Sequence, residues 1–169
     1  MGLLERIKHA VRTNLAELAD RMDDPEHRLD QLIDRMESDL DDARLELGAA
    51  VREVDRLLRE SQASREEATD MEARARLALE RGDEELAREA LRRSEYAGER
   101  ARSLAEEATL QEATTSMLRQ HVLALEQKLS QARQQREMVV ARRRLAEAQR
   151  AAAVGASMAN LGVSEILQD

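Results

Sequence analysis

The residue types that carry chemistry are sparse in this chain, and they do not converge. Three of its 169 residues are histidine and none is cysteine. His9, His27 and His121 stand far apart, and none has a second ligand at the spacing that a metal site needs. No glycine-rich phosphate loop, nucleophile–base pair or cluster of carboxylates is visible. The sequence therefore predicts neither an enzyme nor a cofactor, and the histidines are interpreted as solvated surface residues.

Charge is the more informative feature. Arg142, Arg143 and Arg144 form a basic patch with Arg136 and Arg150, although the net charge of the chain is −8. The patch suits a solvated face, a lipid contact or a contact with an acidic helix of a neighbouring subunit, and we favour the last because the rest of the molecule is acidic. The negative net charge argues against a nucleic-acid partner, because phosphates would be repelled.

Residues 2–19 form an amphipathic stretch. Its cations Arg6, Lys8 and Arg12 lie on or near the polar face, where each gains about 1 kcal/mol near anionic lipid head groups. Two interpretations stay open, since the apolar stripe either packs on the rest of the protein, as most such stripes do, or binds a membrane. A proline break follows the stretch and lets it swing away, which favours the membrane. The predicted membrane-binding apolar residues are Leu3, Leu4, Ile7, Val11, Leu15 and Leu18.

Two heptad patterns must position these groups. Asp24 is the predicted N-cap of the first arm, with Pro25 as its first residue, and Gly82 supplies the left-handed residue that ends it. The first seam consists of Leu29, Ile33, Met36, Leu40, Ala43, Leu47, Ala50, Val54, Leu57, Ser61, Ser64, Ala68, Met71, Ala75 and Ala78. The second consists of Ala87, Ala90, Ser94, Ala97, Ala101, Leu104, Ala108, Gln111, Thr115, Leu118, Val122, Leu125, Leu129 and Ala132. Such alternating steps of four and three are typical of a coiled coil. The pattern slips at Arg136.

Composition and pattern together predict an all-α fold. The chain has no Phe or Trp, one Tyr and one Pro, which excludes a thick aromatic core and leaves helices uninterrupted. We expect a long antiparallel coiled-coil hairpin with an N-terminal amphipathic helix and a short C-terminal helical tail. The predicted boundaries are 1–22 for the membrane-binding helix, 24–154 for the hairpin and 155–169 for the tail. The arms cover about 25–81 and 84–154, with the tip at Gly82-Asp83.

The second arm outlasts the first, so its end has no mate in the hairpin. Val139 and Leu145 are expected to pack on the N-terminal helix or on another subunit, or to stay exposed. Together with Arg142, Arg143 and Arg144 they are the predicted assembly surface.

No run of 18 apolar residues is present, so no segment is expected to span a bilayer. The N-terminus lacks the apolar block and cleavage site of a secretory signal. The absence of cysteine is compatible with a reducing compartment. The expected location is the cytoplasm, peripheral on the inner face of the cell membrane.

Four segments resemble a known family. They are Met1-Gly2-Leu3-Leu4-Glu5-Arg6, the break Asp23-Asp24-Pro25, the tip from Ala78 to Leu91, and Leu125-Glu126-Gln127-Lys128-Leu129. These segments resemble the phage-shock protein A and plastid vesicle-inducing protein family, and the similarity covers about residues 1–150. The tip is its most specific part.

The resemblance implies a fold related to the ESCRT-III membrane-remodelling proteins. It also implies polymerisation, binding of anionic or stressed membrane through the first helix and, in some members, binding of a transcriptional activator of the stress response. A nucleotide site has been described in related proteins, and Arg44 and Glu126 occupy positions that look like its contacts. Hydrolysis is not carried over, because no phosphate loop is present. Family members usually continue well beyond 169 residues, which leaves the mode of assembly open.

The expected function is a self-assembling peripheral membrane protein that binds, coats and remodels or protects the membrane in envelope stress. Its expected partners are further copies of itself, anionic lipids and a transcriptional regulator. The alternative is a soluble coiled-coil adaptor that sequesters a regulatory protein.

Overall fold

A computed structural model shows that the chain is all-α. It describes the backbone of residues 2–21 and 24–166 and the side chains of residues 2–20 and 24–157. No strand occurs within these ranges. The helices are α1 (Leu3–Arg12), α2 (Leu15–Arg21), α3 (Pro25–Glu80) and α4 (Glu84–Ile166). Helices α3 and α4 pack against each other as the predicted hairpin.

A glycine turn joins the two arms where the sequence predicts it. Gly82 adopts φ 76°, a left-handed conformation that costs glycine little. The N–H of Asp83 donates to the carbonyl of Ala78 at 2.9 Å, which closes the last turn of α3. Asp83 then caps α4, because its carboxylate accepts the N–H of Leu86 at 3.0 Å. One dipeptide thus ends one helix and starts the next.

The N-terminal stretch is two short helices instead of one continuous amphipathic helix. The Thr13 hydroxyl donates to the carbonyl of His9 at 3.0 Å, and α1 ends at Arg12. Asn14 caps α2 by accepting the N–H of Glu17 at 3.3 Å. Short polar side chains that bond to nearby backbone favour such breaks. Met1 and Met22 of the predicted segment 1–22 lie outside the described residues.

Asp24 and Pro25 begin α3. The Asp24 carboxylate accepts the N–H of His27 at 3.4 Å, as an N-cap does. Asp24 takes φ 57°, a left-handed conformation that aspartate tolerates better than most residues. Asp23, the first residue of the predicted break, lies outside the described residues.

The two predicted seams form the interior of the hairpin. Every seam position from Leu29 to Ala78 and from Ala87 to Ala132 is buried or half-buried. The chain packs as two units along these seams. The first unit contains Met1–Leu40 and Leu123–Asp169, and the second contains Asp41–Val122.

In the second unit the seam is made mostly of small side chains. The Ser61 hydroxyl donates to the carbonyl of Ala101 at 2.8 Å, and that of Ser94 donates to the carbonyl of Ala68 at 2.9 Å. These bonds satisfy the buried hydroxyls and join α3 to α4.

In the first unit the seam is made of larger side chains. Leu29, Met36 and Leu125 are completely buried there. The apparent slip at Arg136 is a seam position occupied by an arginine, whose guanidinium pairs with Asp30 of α3. This hydrogen bond raises the pKa of Arg136 above its ordinary value.

Helix α4 continues past the predicted boundary at residue 154. It passes through Gly155 without a break, so residues 155–166 of the predicted tail extend the second arm. Residues 167–169 lie outside the described residues.

Candidate functional site

Helix α1 docks against α3 within the first unit. Ile7 is 0% exposed and Ala10 is 5% exposed, and Leu15 at the start of α2 is also buried. A groove of about 320 Å³ runs beside this contact and is lined by residues of α1 and α3, among them Leu32 and Met36. In the structure the apolar stripe of the N-terminal stretch thus packs on the rest of the protein, with Ile7 and Ala10 of α1 and Leu15 of α2 in the interior.

The docking leaves the predicted membrane-binding face divided. Leu4 is 43% exposed, and Leu3, Val11 and Leu18 are half-buried. A single exposed leucine is ordinary on a protein surface. Here the exposed and half-buried residues belong to the same apolar stripe as Ile7. Docking on the protein therefore covers only part of that stripe.

The cations of α1 occupy different surroundings. The Lys8 ammonium donates to the Glu5 carboxylate at 3.0 Å, and this hydrogen bond lowers the pKa of Glu5. Arg12 is exposed in the last turn of α1, where a positive charge is favourable to the helix dipole. Arg6 is half-buried and lies 3.3 Å from Asp39 of α3.

Asp39 is a site residue that the sequence analysis did not identify. Only 7% of it is exposed, although it is a carboxylate. It flanks the seam between Met36 and Leu40, and an acidic residue beside a heptad seam is usually a solvated one. Its burial depends on α1 lying across it, which periodicity within α3 does not indicate.

The predicted assembly surface is partly used within the chain. Val139 is 8% exposed and lines a groove together with Ala19 and Pro25. The Arg142 guanidinium lies 3.5 Å from Asp20, and that of Arg143 lies 3.2 Å from Glu26. The structure therefore supplies partners for Val139, Arg142 and Arg143 inside the first unit, whereas the charge pattern of the sequence favours a neighbouring subunit for the arginines.

Beyond these residues α4 turns to solvent. Leu145 is 61% exposed, Val154 is 60% exposed, and Arg144 is exposed as well. No side chain from 147 to 157 is buried or half-buried. Leu145 and Arg144 of the predicted assembly surface are thus exposed, and their role in assembly stays a prediction.

Arg44 and Glu126 belong to different units, the second and the first respectively. Arg44 is exposed and Glu126 is half-buried. Their role as nucleotide contacts stays a prediction.

The described residues contain neither a metal-binding cluster nor a helix that could span a membrane. Nowhere in these residues do three or more His, Asp or Glu side chains form a group suited to a metal ion. None of the described helices combines the length and the hydropathy needed to cross a membrane.

Comparison with known proteins identifies relatives over most of the chain. A Vipp1 protein of Nostoc punctiforme, named a membrane-associated protein, is 34% identical over 149 residues, which are 88% of this chain and 58% of that protein. A Vipp1 protein of Synechocystis is 35% identical over 148 residues, 88% of this chain and 55% of that protein. A phage shock protein A homolog of Deinococcus radiodurans is 32% identical over 148 residues, 88% of this chain and 66% of that protein.

The chain thus spans a little more than half to about two thirds of the length of these relatives. The model of the PspA/IM30 family matches residues 2–166. That match covers α1 to α4, including the N-terminal helix and the hairpin turn, and the chain therefore belongs to the PspA/IM30 family.

Proposed function

We propose that this chain is a self-assembling peripheral membrane protein that inserts α1 into a bilayer surface and coats, remodels or protects it. The observation that carries the proposal is the divided apolar face of α1, on which Leu4 is 43% exposed beside the buried Ile7. The relatives that are named membrane-associated proteins support the same assignment. The proposal includes no catalytic step.

Insertion of α1 exchanges one apolar environment for another. Ile7 leaves a protein groove for lipid, so its own burial contributes little net free energy. The gain comes from Leu4, Leu3 and Val11, whose exposed areas become buried, at about 25 cal/mol per Å². Arg12 and Lys8 add about 1 kcal/mol each near an anionic surface. The net free energy of membrane insertion for one subunit is therefore small.

Assembly makes a small free-energy gain per subunit sufficient for stable membrane binding. Many copies of α1 held on one polymer bind with high avidity, because each later contact is intramolecular. The exposed end of α4 is the surface that we assign to contacts between copies, on the strength of Leu145, Val154 and Arg144. An anionic bilayer and further copies of the chain are thus the proposed partners.

Flotation with vesicles tests the membrane assignment. Leu4→Glu places a charge on the membrane face at a residue that is already partly exposed, so the docked structure should persist. We expect this variant to lose binding to phosphatidylglycerol vesicles while its far-ultraviolet circular dichroism stays that of the parent. Ile7→Glu should also lose binding, but it additionally introduces a buried charge into the docked state.

The matched control is His9→Glu, which adds an acidic residue to an exposed position on the polar face of the same helix. It should retain most of the vesicle binding. Repulsion between the added carboxylate and the anionic lipid should cause a small loss, which becomes smaller as the salt concentration rises. If Leu4→Glu floats as well as the parent protein, α1 is not the membrane anchor. The soluble adaptor that sequesters a regulatory protein then becomes the better assignment.

Three finer elements of the proposal come from the sequence and its family resemblance and not from the structure. They are a role in envelope stress, a transcriptional regulator as partner and a location at the inner face of the cell membrane. Imaging of a tagged chain before and after membrane stress addresses the first and third together, and diffuse fluorescence under both conditions would contradict them.

A further inference from the structure

A nearly buried carboxylate lies beneath the docked N-terminal helix. Asp39 is 7% exposed, and the Arg6 guanidinium approaches it to 3.3 Å from α1. Arg35 of α3 lines the same groove. A carboxylate held out of water is unfavourable unless a charge partner or hydrogen bonds compensate it. The docked state therefore depends on a cation that belongs to the proposed membrane-binding helix.

We propose that the Arg6–Asp39 ion pair is a latch that holds α1 in a closed state and that anionic phosphate groups of a bilayer release. This inference rests on the proposed function, because it assigns regulation to the same helix. Asp39 in the closed state and lipid phosphate in the open state are mutually exclusive partners of the Arg6 guanidinium. A bilayer shifts the equilibrium towards the open state only by the factor by which it binds the open state more tightly than the closed state.

The geometry suits a latch better than a permanent contact. The Arg6 side chain is 41% exposed, so anionic groups can approach it before α1 leaves. When α1 departs, Asp39 returns to water, and the open state carries no uncompensated buried charge. A neutral bilayer offers no net charge to replace the carboxylate, so the latch also provides selectivity for anionic membrane.

Opening can be measured without lipid, since the chain contains no cysteine. A single cysteine introduced as Ala10→Cys lies on the buried face of the docked helix α1, where the native residue is 5% exposed. Its rate of modification by a soluble thiol reagent reports how often α1 opens. Gly2→Cys, at an exposed position, gives the rate for an unprotected thiol.

Charge reversal tests the pair itself. In the Ala10→Cys background, Arg6→Glu faces Asp39 with a second carboxylate, and Asp39→Lys faces Arg6 with a second cation. Each should speed modification roughly fivefold, in line with a partly exposed ion pair. The double reversal Arg6→Glu/Asp39→Lys restores opposite charges and should return the rate towards that of the parent. Asp34→Lys makes the same charge change at an exposed position of α3 and should leave the rate unchanged.

The same variants make a prediction for membranes. At limiting phosphatidylglycerol vesicle concentration, Asp39→Lys should bind several-fold better than Asp34→Lys, although both have the same net charge. The latch is refuted if neither single reversal speeds modification, if the double reversal stays as fast as the faster single variant, or if Asp39→Lys and Asp34→Lys bind vesicles equally.

Failure of the latch is distinguishable from failure of the proposed function. If Leu4→Glu abolishes flotation while the charge-reversal rates do not change, α1 is the anchor and the ion pair is not its latch. If Leu4→Glu floats like the parent, the membrane function fails whatever the modification rates are.

Discussion

The interior face of α4 can be tested by two leucines that lie two residues apart. Leu125 is 0% exposed in the seam of the first unit, whereas Leu123 is 52% exposed on the same helix. Leu125→Ala removes buried carbon atoms and leaves a cavity, which in compact cores destabilises by about 2–5 kcal/mol. We expect the lower part of that range, about 2–3 kcal/mol, because a seam between two helices can collapse more readily than a thick core.

The assay is urea unfolding followed by circular dichroism, fitted for the midpoint and the slope m. Leu123→Ala is the matched control, since it deletes the same atoms from the same helix. It should cost less than about 0.5 kcal/mol, because little buried area is lost and alanine is the better helix former. Measurement at two protein concentrations separates unfolding from disassembly. Equal destabilisation by the two variants would refute the assignment of the buried face.

Three further predictions concern the arms and their ends. Leu40→Asp buries a charge at a 5% exposed seam position and should destabilise by more than about 4 kcal/mol in the same urea assay, whereas Leu45→Asp, at a 74% exposed position, should have little effect. Hydrogen bonds from Arg92 and Arg93 lower the pKa of Glu89 in the folded state, so the stability they provide is present above the ordinary glutamate pKa and is lost as pH falls through the lowered value. A side-chain NMR titration should show the Glu89 pKa returning upward in the Arg92→Ala/Arg93→Ala variant. Leu145→Glu should reduce particle size by light scattering without loss of helix, because Leu145 is 61% exposed, and an unchanged size would remove the end of α4 as an assembly surface.

The hairpin could be predicted from sequence because its signals are local and repeated. The seam from Leu29 to Ala78 repeats one geometric rule over 50 residues, so single exceptions such as Ser61 do not hide it. Gly82 marked the turn because few other residues adopt its left-handed conformation cheaply. Asp24 marked the start of α3 because a short acidic side chain before a proline suits an N-cap.

The N-terminal region was less predictable, because its structure depends on contacts distant in sequence. The apolar period continues through Thr13 and Asn14, so a helical wheel over residues 2–19 shows no break, yet local side-chain bonds end α1 there. Periodicity indicates that α1 has an apolar face but not which surface receives it. Likewise, Arg136 appeared to be a slip because its partner Asp30 lies on the other arm.

Under the proposed function, the apolar face of α1 has two alternative partners, the rest of the protein and the bilayer, and incomplete docking suits both. If docking covered Leu4, Leu3 and Val11 as fully as it covers Ile7, membrane insertion would bury no additional area and would only replace one apolar environment by another. If docking covered none of them, a helix of ten residues would be unstable in water and would expose its whole apolar face. Partial coverage keeps α1 folded in the closed state and leaves enough exposed apolar area for insertion to be favourable. A difference of one or two kcal/mol per subunit shifts a two-state equilibrium only about five- to thirtyfold, so one subunit responds weakly. An assembly that holds several such helices at one surface sums these differences, and its response to an anionic bilayer becomes correspondingly steep.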